Sequence, residues 1–219
     1  MRNRLTSLLF SLCIAAVFVP AIAAPTGMPL GLKEMWDAGD KAYSEKNYKQ
    51  AAEWFDKASK YSDFAAQPKD RRAELYRSYG RALVGSEQFA KAIEPLNRSI
   101  DLIDQLEGDQ RVKSGLNSEA YGLLSGAYAG QKMYREAAEY SLKELNAHKE
   151  RFPEHKGNGL LEAKIGGWYF RAGMKDKART WLTEGEKLLK EDLASASPAS
   201  PDLEKEVLAG AQKMLAECN

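Results

Sequence analysis

WDAGDKAYSEKNYKQAAEWFDKA, Trp36 to Ala58, is the stretch whose reading decides the fold. In it Gly39 and Ala51 stand twelve positions apart, with Tyr48 three residues before the alanine and Phe55 four after it. The same offsets return at Gly80, Phe89, Ala92 and Leu96, then at Ser125, Tyr134, Ala137 and Ser141, then at Gly166, Lys175, Ala178 and Leu182. The copies follow one another at 41, 45 and 41 residues. Repetition at such a period means stacked supersecondary units. Each unit reads as two helices joined by a tight turn. The small residue on the first helix and the alanine on the second let the two axes approach to roughly 8–10 Å. The aromatic lies on the same face as the alanine, because positions i and i+3 share a helical face. Two positions depart from the pattern: Ser141 is not large and apolar, and Lys175 is not aromatic.

These residues resemble the tetratricopeptide repeat, whose hairpin carries a small, aromatic, alanine, bulky and small residue in fixed order. The first copy supplies Gly39, Tyr48, Ala51, Phe55 and Ala58, and the second Gly80, Phe89, Ala92, Leu96 and Ser99. The third gives Ser125, Tyr134, Ala137, Ser141 and Glu144, with its last two positions off pattern. The fourth gives Gly166, Lys175, Ala178, Leu182 and Gly185. The resemblance covers about Leu32 to Glu191, with repeats near 32–68, 73–110, 118–155 and 159–191. The period exceeds the usual length of about 34 residues and is similar to the longer repeats of kinesin light chains. The resemblance implies an all-α, right-handed α-solenoid of four hairpins closed by a C-terminal capping helix.

Helices are expected over 31–45 and 48–62, 70–85 and 88–107, 112–130 and 133–151, and 158–172 and 175–191. Gly85 and Gly130 are expected to end two of them in a left-handed conformation. Asn47 and Ser86 are expected to cap the helices that follow. Residues 24–31 form a lead-in with Pro25, Gly27 and Pro29, and residues 192–200 read as a Ser/Ala/Pro linker. Ser200 and Pro201 then open a last helix with Leu203, Val207, Ala211 and Leu215 on one stripe. Its expected role is to hide the open end of the array; docking on a partner is the other reading.

At the N-terminus, Arg2 and Arg4 precede an apolar stretch from Leu8 to Val19, and Pro20-Ala21-Ile22-Ala23 offers an Ala-x-Ala cleavage site. Residues 1–23 therefore read as a cleavable signal peptide. The apolar run is short for a membrane span of roughly 20 residues, and Cys13 follows the bulky Leu12, which does not suit a lipid-attachment site. The Ala-rich cleavage region looks bacterial, so the expected address is the periplasm, with full secretion as the other outcome.

Cleavage would leave 30 basic and 31 acidic side chains, a net charge of −1. There is no positive excess to neutralise phosphates, so nucleic acid is not an expected partner. Of the two cysteines only Cys218 would remain, which permits no internal disulfide. His148 and His155 are seven apart with Pro153 between them, an unsuitable spacing for metal ligands on one helix. No Gly-x-Ser-x-Gly, phosphate-cradling loop or Cys-x-x-Cys is present. Asn97-Arg98-Ser99 matches a glycosylation acceptor but falls beside the hairpin core. The reading is non-enzymatic, with no cofactor and no metal.

What remains is surface. In tetratricopeptide arrays the first helix of each hairpin lines the inner wall. Carried over by position, the resemblance puts Lys33, Trp36, Asp40 and Tyr43 there from the first repeat, and Glu74, Arg77, Arg81 and Val84 from the second. The third offers Glu119, Gly122, Gly126 and Ala129, and the fourth Leu160, Ala163, Gly167 and Phe170. Arg77 and Arg81 lie one turn apart, so both could grip one carboxylate; the alternative is a bridge to acidic residues of a neighbouring helix. This is partly similar to the basic clamp of some co-chaperone repeats. Gly122 and Gly126 suggest a close approach, by a ligand backbone or by a neighbouring helix. Trp36, Tyr43 and Phe170 would supply apolar contacts. The expected function is an envelope scaffold or adaptor binding a polypeptide or partner protein. A glycan, cell-wall fragment or small molecule in a glycine-lined groove is the rival reading.

Overall fold

The computed structural model describes residues 28–152, 158–195 and 200–218. The signal-peptide reading, residues 24–27 of the lead-in, Pro153, His155 and residues 196–199 of the Ser/Ala/Pro linker lie outside them. Among the described residues there are nine α-helices and no strand: α1 Leu30–Ser44, α2 Tyr48–Ser59, α3 Lys69–Gly85, α4 Phe89–Asp104, α5 Gln110–Gly130, α6 Tyr134–Arg151, α7 Gly159–Arg171, α8 Lys175–Leu193 and α9 Pro201–Cys218. α2 stops at Ser59 and α4 at Asp104, three residues short of the expected ends in each case, while α8 runs on to Leu193.

The chain divides into two compact units, the first ending at Asp109 and the second starting at Gln110. In the first unit α1 pairs with α2 and α3 with α4, and α2 packs on α3 to join the hairpins. In the second unit α5 pairs with α6 and α7 with α8, α6 packs on α7, and α9 lies against both α7 and α8.

The repeat signature is a set of contacts. A Cβ added to Gly39 would lie 2.6 Å from the Phe55 ring, one on Gly80 2.4 Å from Leu96, and one on Gly166 2.6 Å from Leu182. Ordinary carbon contacts are about 3.5–4.0 Å. The glycine is therefore there because the bulky residue sixteen positions later fills its side-chain space. Ser141 is then no defect. Its partner at the glycine position is Ser125, and their hydroxyls meet at 2.7 Å in the core. Both serines are fully buried. The third hairpin replaces a glycine–bulky pair by a hydrogen-bonded serine pair. Ser99, within the glycosylation-like triplet, is also fully buried and donates to the Ala73 carbonyl at 2.8 Å.

The hairpin turns differ from expectation. Gly85 and Gly130 are the last helical residues of α3 and α5. The left-handed residues are Lys46 (φ 60°), Glu87 (φ 59°), Lys132 (φ 62°) and Gly173 (φ 74°). At the first turn the Lys46 amide donates to Tyr43 and the Asn47 amide to Ala42, and each later turn repeats that pair of bonds. This is the Schellman arrangement, which satisfies the last carbonyls of a helix. Gly85 answers a different need: a Cβ there would lie 2.7 Å from the Tyr48 ring. Asn47 caps α2, accepting from the Gln50 amide. Ser86 instead closes α3, donating to the Leu83 carbonyl, and Gln88 stands at the head of α4 without a side-chain capping bond. The backbone amide of Ser200 donates to the Glu204 carboxylate at 3.1 Å at the start of α9.

Candidate functional site

The first unit brings one group of inner-wall residues together. Trp36, Asp40 and Tyr43 recur at helical spacing on α1, and Glu74, Arg77 and Arg81 do so on α3. Trp36, Tyr43, Glu74, Arg77 and Arg81 are each partly exposed. The Arg81 guanidinium carbon lies 5.8 Å from the Tyr43 ring centroid, a cation–π contact between the two helices. Tyr43 in turn tilts against Tyr48 at 5.1 Å. Lys33 is paired with Asp37 at 2.5 Å.

Asp40 carries the electrostatic signature of this wall. Part of the residue faces solvent, yet its carboxyl is raised from 3.8 to about 6. Loss of surrounding water is the first cause, the carboxylates of Glu74 and Asp37 add to it, and Arg81 opposes it. Arg81 thus answers Asp40 and Tyr43 across the helix gap. Arg81 therefore lies among acids: it acts on Asp40, as do Glu74 and Asp37, and Asp37 is itself paired with Lys33.

The second unit treats its glycines differently. A Cβ on Gly122 would lie 2.9 Å from Glu144 Oε1, and the Glu144 carboxylate accepts from Lys164 Nζ at 2.6 Å. Gly122 is thus glycine because a side chain of α6 lies across it. The off-pattern Glu144 and the glycine on the facing helix are one feature. Of the two approaches expected at Gly122, by a ligand backbone or by a neighbouring helix, the neighbouring helix α6 supplies one. At Gly126 an added Cβ would meet nothing within 4 Å. At Gly167 it would come 3.6 Å from Met214 Cε of α9. Ala163 is buried and Phe170 is half-buried.

Three groups escaped the sequence reading. Tyr134 stacks on Trp168 at 6.1 Å, with the Arg171 guanidinium 5.1 Å from the Trp168 centroid. Glu162, nearly fully buried on α7, is paired with Lys149 of α6 at 3.4 Å. Lys175 and Arg179 donate to the carbonyls of Glu217 and Cys218 at 2.8 and 2.6 Å. Of these residues Lys175 alone carries a sequence signal, as the copy lacking the aromatic, but that signal does not give its partner. Tyr48 and Tyr134 pack on the first helix of the next hairpin, at Gly85 and Trp168. Lys175 has a helix end to meet instead.

Among the described residues no three or more His, Cys, Asp or Glu side chains are placed to hold a metal ion. No described helix is long and apolar enough to cross a membrane. Cys218 is a buried free thiol.

No protein-family profile matches the chain. A secreted RxLR effector protein of Plasmopara halstedii is 28% identical over 114 residues, which are 51% of this chain and 34% of that protein. The chain thus spans about a third of that relative's length. Among solved structures, the kinesin-light-chain TPR-like repeats of Podosopora anserina superpose with a TM-score of 0.67 at 16% identity, over 87% of this chain and 90% of that one. The apo form of RapI gives 0.67 at 14% identity, over 85% of this chain and 49% of that one. These likenesses show the fold, an all-α array of tetratricopeptide-like hairpins.

Proposed function

We propose that this protein is an exported, non-enzymatic scaffold that binds a polypeptide segment of a partner protein in the cell envelope. The observation that carries the reading is the first-unit wall. Tyr43 and Arg81 are joined across α1 and α3, with Asp40, Glu74 and Asp37 close enough to act on one another's charge. Aromatic and arginine side chains are the usual anchors of protein interfaces. A wall that carries acids (Asp37, Asp40, Glu74) as well as bases (Lys33, Arg81) suits a chain that presents both charges, rather than a polyanion. The fold supports the interaction role, since hairpin arrays build extended surfaces. Export rests on the pattern of residues 1–23. The rival glycan reading would rest on the glycine-lined groove, where Glu144 lies against Gly122 and Gly126 faces open space.

The test is a cross-linked affinity capture from envelope extract with the wild type and with Arg77→Ala/Arg81→Ala, each with its stability checked. A partner held by the wild type and lost by the double variant supports the wall. A partner held equally by both moves the interface elsewhere, and saturable binding of sugars or muropeptides without any protein would favour the rival.

A further inference from the structure

We propose that the cavity between α2, α3 and the head of α4 receives a tyrosine side chain of a partner polypeptide. The inference does not depend on the first-unit wall. Tyr79 and Leu83, which line the cavity, stand two positions on from Arg77 and Arg81, roughly 200° round α3.

The cavity measures about 260 Å³. An apolar cavity of about 150 Å³ is enough for a benzene ring, whereas pockets for whole drug-sized ligands run from about 300 Å³ upward. The space therefore suits one ring carried by a larger partner. Ala52 and Leu83, both nearly fully buried, give it an apolar lining. Lys49, Glu53 and Lys91 are its exposed polar groups. Lys49 and Glu53 are one turn apart on α2, yet neither side chain has a hydrogen-bond or ion-pair partner among the described residues. Lys91 Nζ donates to Gln88 Oε1 at 3.0 Å and is paired with no carboxylate among them.

The repeat supplies the occupant. Ala51 to Ala137 and Gly80 to Gly166 are both steps of 86 residues, so each lining residue has a counterpart in the second unit. Leu83 corresponds to Tyr169, and Lys49, Glu53 and Lys91 correspond to Arg135, Glu139 and Lys177. Tyr169 is nearly fully buried. Lys177 Nζ lies 5.2 Å from its ring centroid. Its phenol is raised by burial, with Glu139 adding to the rise and Arg135 opposing it. Arg135 and Glu139 are themselves paired at 3.1 Å. The second unit thus fills with its own ring the place that the first leaves open over Leu83. The first unit keeps a tyrosine one turn earlier, where the second has Ile165. That Tyr79 hydroxyl is engaged, donating to Asp56 Oδ1 at 3.2 Å. A tyrosine brought by a partner would meet Lys91, Lys49 and Glu53 where Tyr169 meets Lys177, Arg135 and Glu139. The ring face attracts the lysines, and the hydroxyl finds the polar partner that a buried tyrosine needs.

Amide NMR spectra of the full chain, titrated with N-acetyltyrosinamide, test this. Saturable shifts are expected at the Ala52, Leu83 and Lys91 amides, with binding roughly fivefold tighter than that of N-acetylleucinamide. The blocked tripeptide acetyl-Ala-Tyr-Ala-amide should bind no more weakly than the single residue. Leu83→Tyr should put a ring in the cavity, as Tyr169 does, and abolish the shifts. Lys49→Gln/Lys91→Gln alters only exposed side chains and should weaken binding roughly fivefold, which keeps the test open if Leu83→Tyr loses helical signal. Arg77→Ala/Arg81→Ala should leave the titration unchanged. Equal binding of the tyrosine and leucine amides, shifts that persist in a folded Leu83→Tyr chain, indifference to the lysines, or no saturable shift overturns the proposal. Exclusion of the tripeptide overturns its polypeptide part.

Discussion

Replacing Ser141 by Leu and Ser125 by Gly, singly and together, tests whether the repeat signature is a contact between paired positions. The other hairpins set the geometry. A side chain at the glycine position there would lie 2.4–2.6 Å from its bulky partner, about an ångström inside ordinary contact. Ser141→Leu alone pushes a large side chain against the Ser125 Cβ, and overpacking of this kind costs about 1–3 kcal/mol. Ser125→Gly alone leaves the buried Ser141 hydroxyl without its 2.7 Å partner. That orphaning costs about 1–3 kcal/mol, and a glycine in a helix about 1 more. The two single losses together come to about 5 kcal/mol on central values. The double variant recreates the glycine–leucine pair of Gly80 and Leu96. Its helix penalty of about 1 kcal/mol is offset by burying a leucine, about 1.5–3 kcal/mol. The double should therefore lie within about 1 kcal/mol of the wild type, a coupling of at least about 3 kcal/mol. A urea-denaturation cycle with the four proteins measures it. Additivity within about 0.5 kcal/mol would refute the paired-position account.

Three further outcomes are expected. Asp40 is held near pH 6 in the fold against an ordinary 3.8. The folded state therefore keeps the proton longer, and ionising Asp40 costs stability as pH rises from about 4 to 6. The full shift corresponds to about 3 kcal/mol, cut to about 1 by solvent screening at this exposed residue. Asp40→Asn should thus stabilise at pH 7.5 and make no difference at pH 4 in parallel urea titrations; equal effects at both would count against the electrostatic cause. Lys46→Gly, Glu87→Gly and Lys132→Gly should each raise stability by up to about 1 kcal/mol, since left-handed backbone penalises residues with a Cβ. In thermal melts that is about 2–4 °C apiece, whereas Gly173→Ala should lower the midpoint. Gly126→Ala should gain about 1 kcal/mol, because its Cβ enters open space. Gly122→Ala should gain nothing, because the Cβ must displace Glu144 from Lys164; equal gains would refute the close-approach reading of Gly122.

The all-α repeat fold was legible because one spacing recurs four times in phase and encodes the same glycine–bulky contact in three of the copies. Gly39 opposite Phe55 and Gly80 opposite Leu96 could be read as spacing before they were seen as packing. The departures were not legible one at a time. Ser141 makes sense only with Ser125, Glu144 only with Gly122, and Lys175 only with the carbonyls of α9. In each case the cause sits on a different helix, which local pattern does not identify. The turns misled for a related reason. Glycine marks a left-handed residue at Gly173, but three of the four turns place Lys or Glu there and satisfy their carbonyls by geometry alone. For the inner wall, spacing placed Trp36, Asp40 and Tyr43 on one helix face and Arg77 and Arg81 on another. It did not show Arg81 drawn towards Tyr43 and Asp40, because that depends on the distance between α1 and α3.

The central claim is that a polypeptide lies on the first-unit wall. A photo-reactive phenylalanine analogue placed at Tyr43 reports on that wall, and the same residue at the exposed Arg98 of α4 reports on another face. Irradiation in the envelope, followed by mass spectrometry of the adducts, compares the two. The account predicts a defined polypeptide adduct at position 43 that is absent at position 98 and lost with Arg77→Ala/Arg81→Ala. Adducts at position 98 alone, or at both positions and indifferent to the arginines, would contradict it.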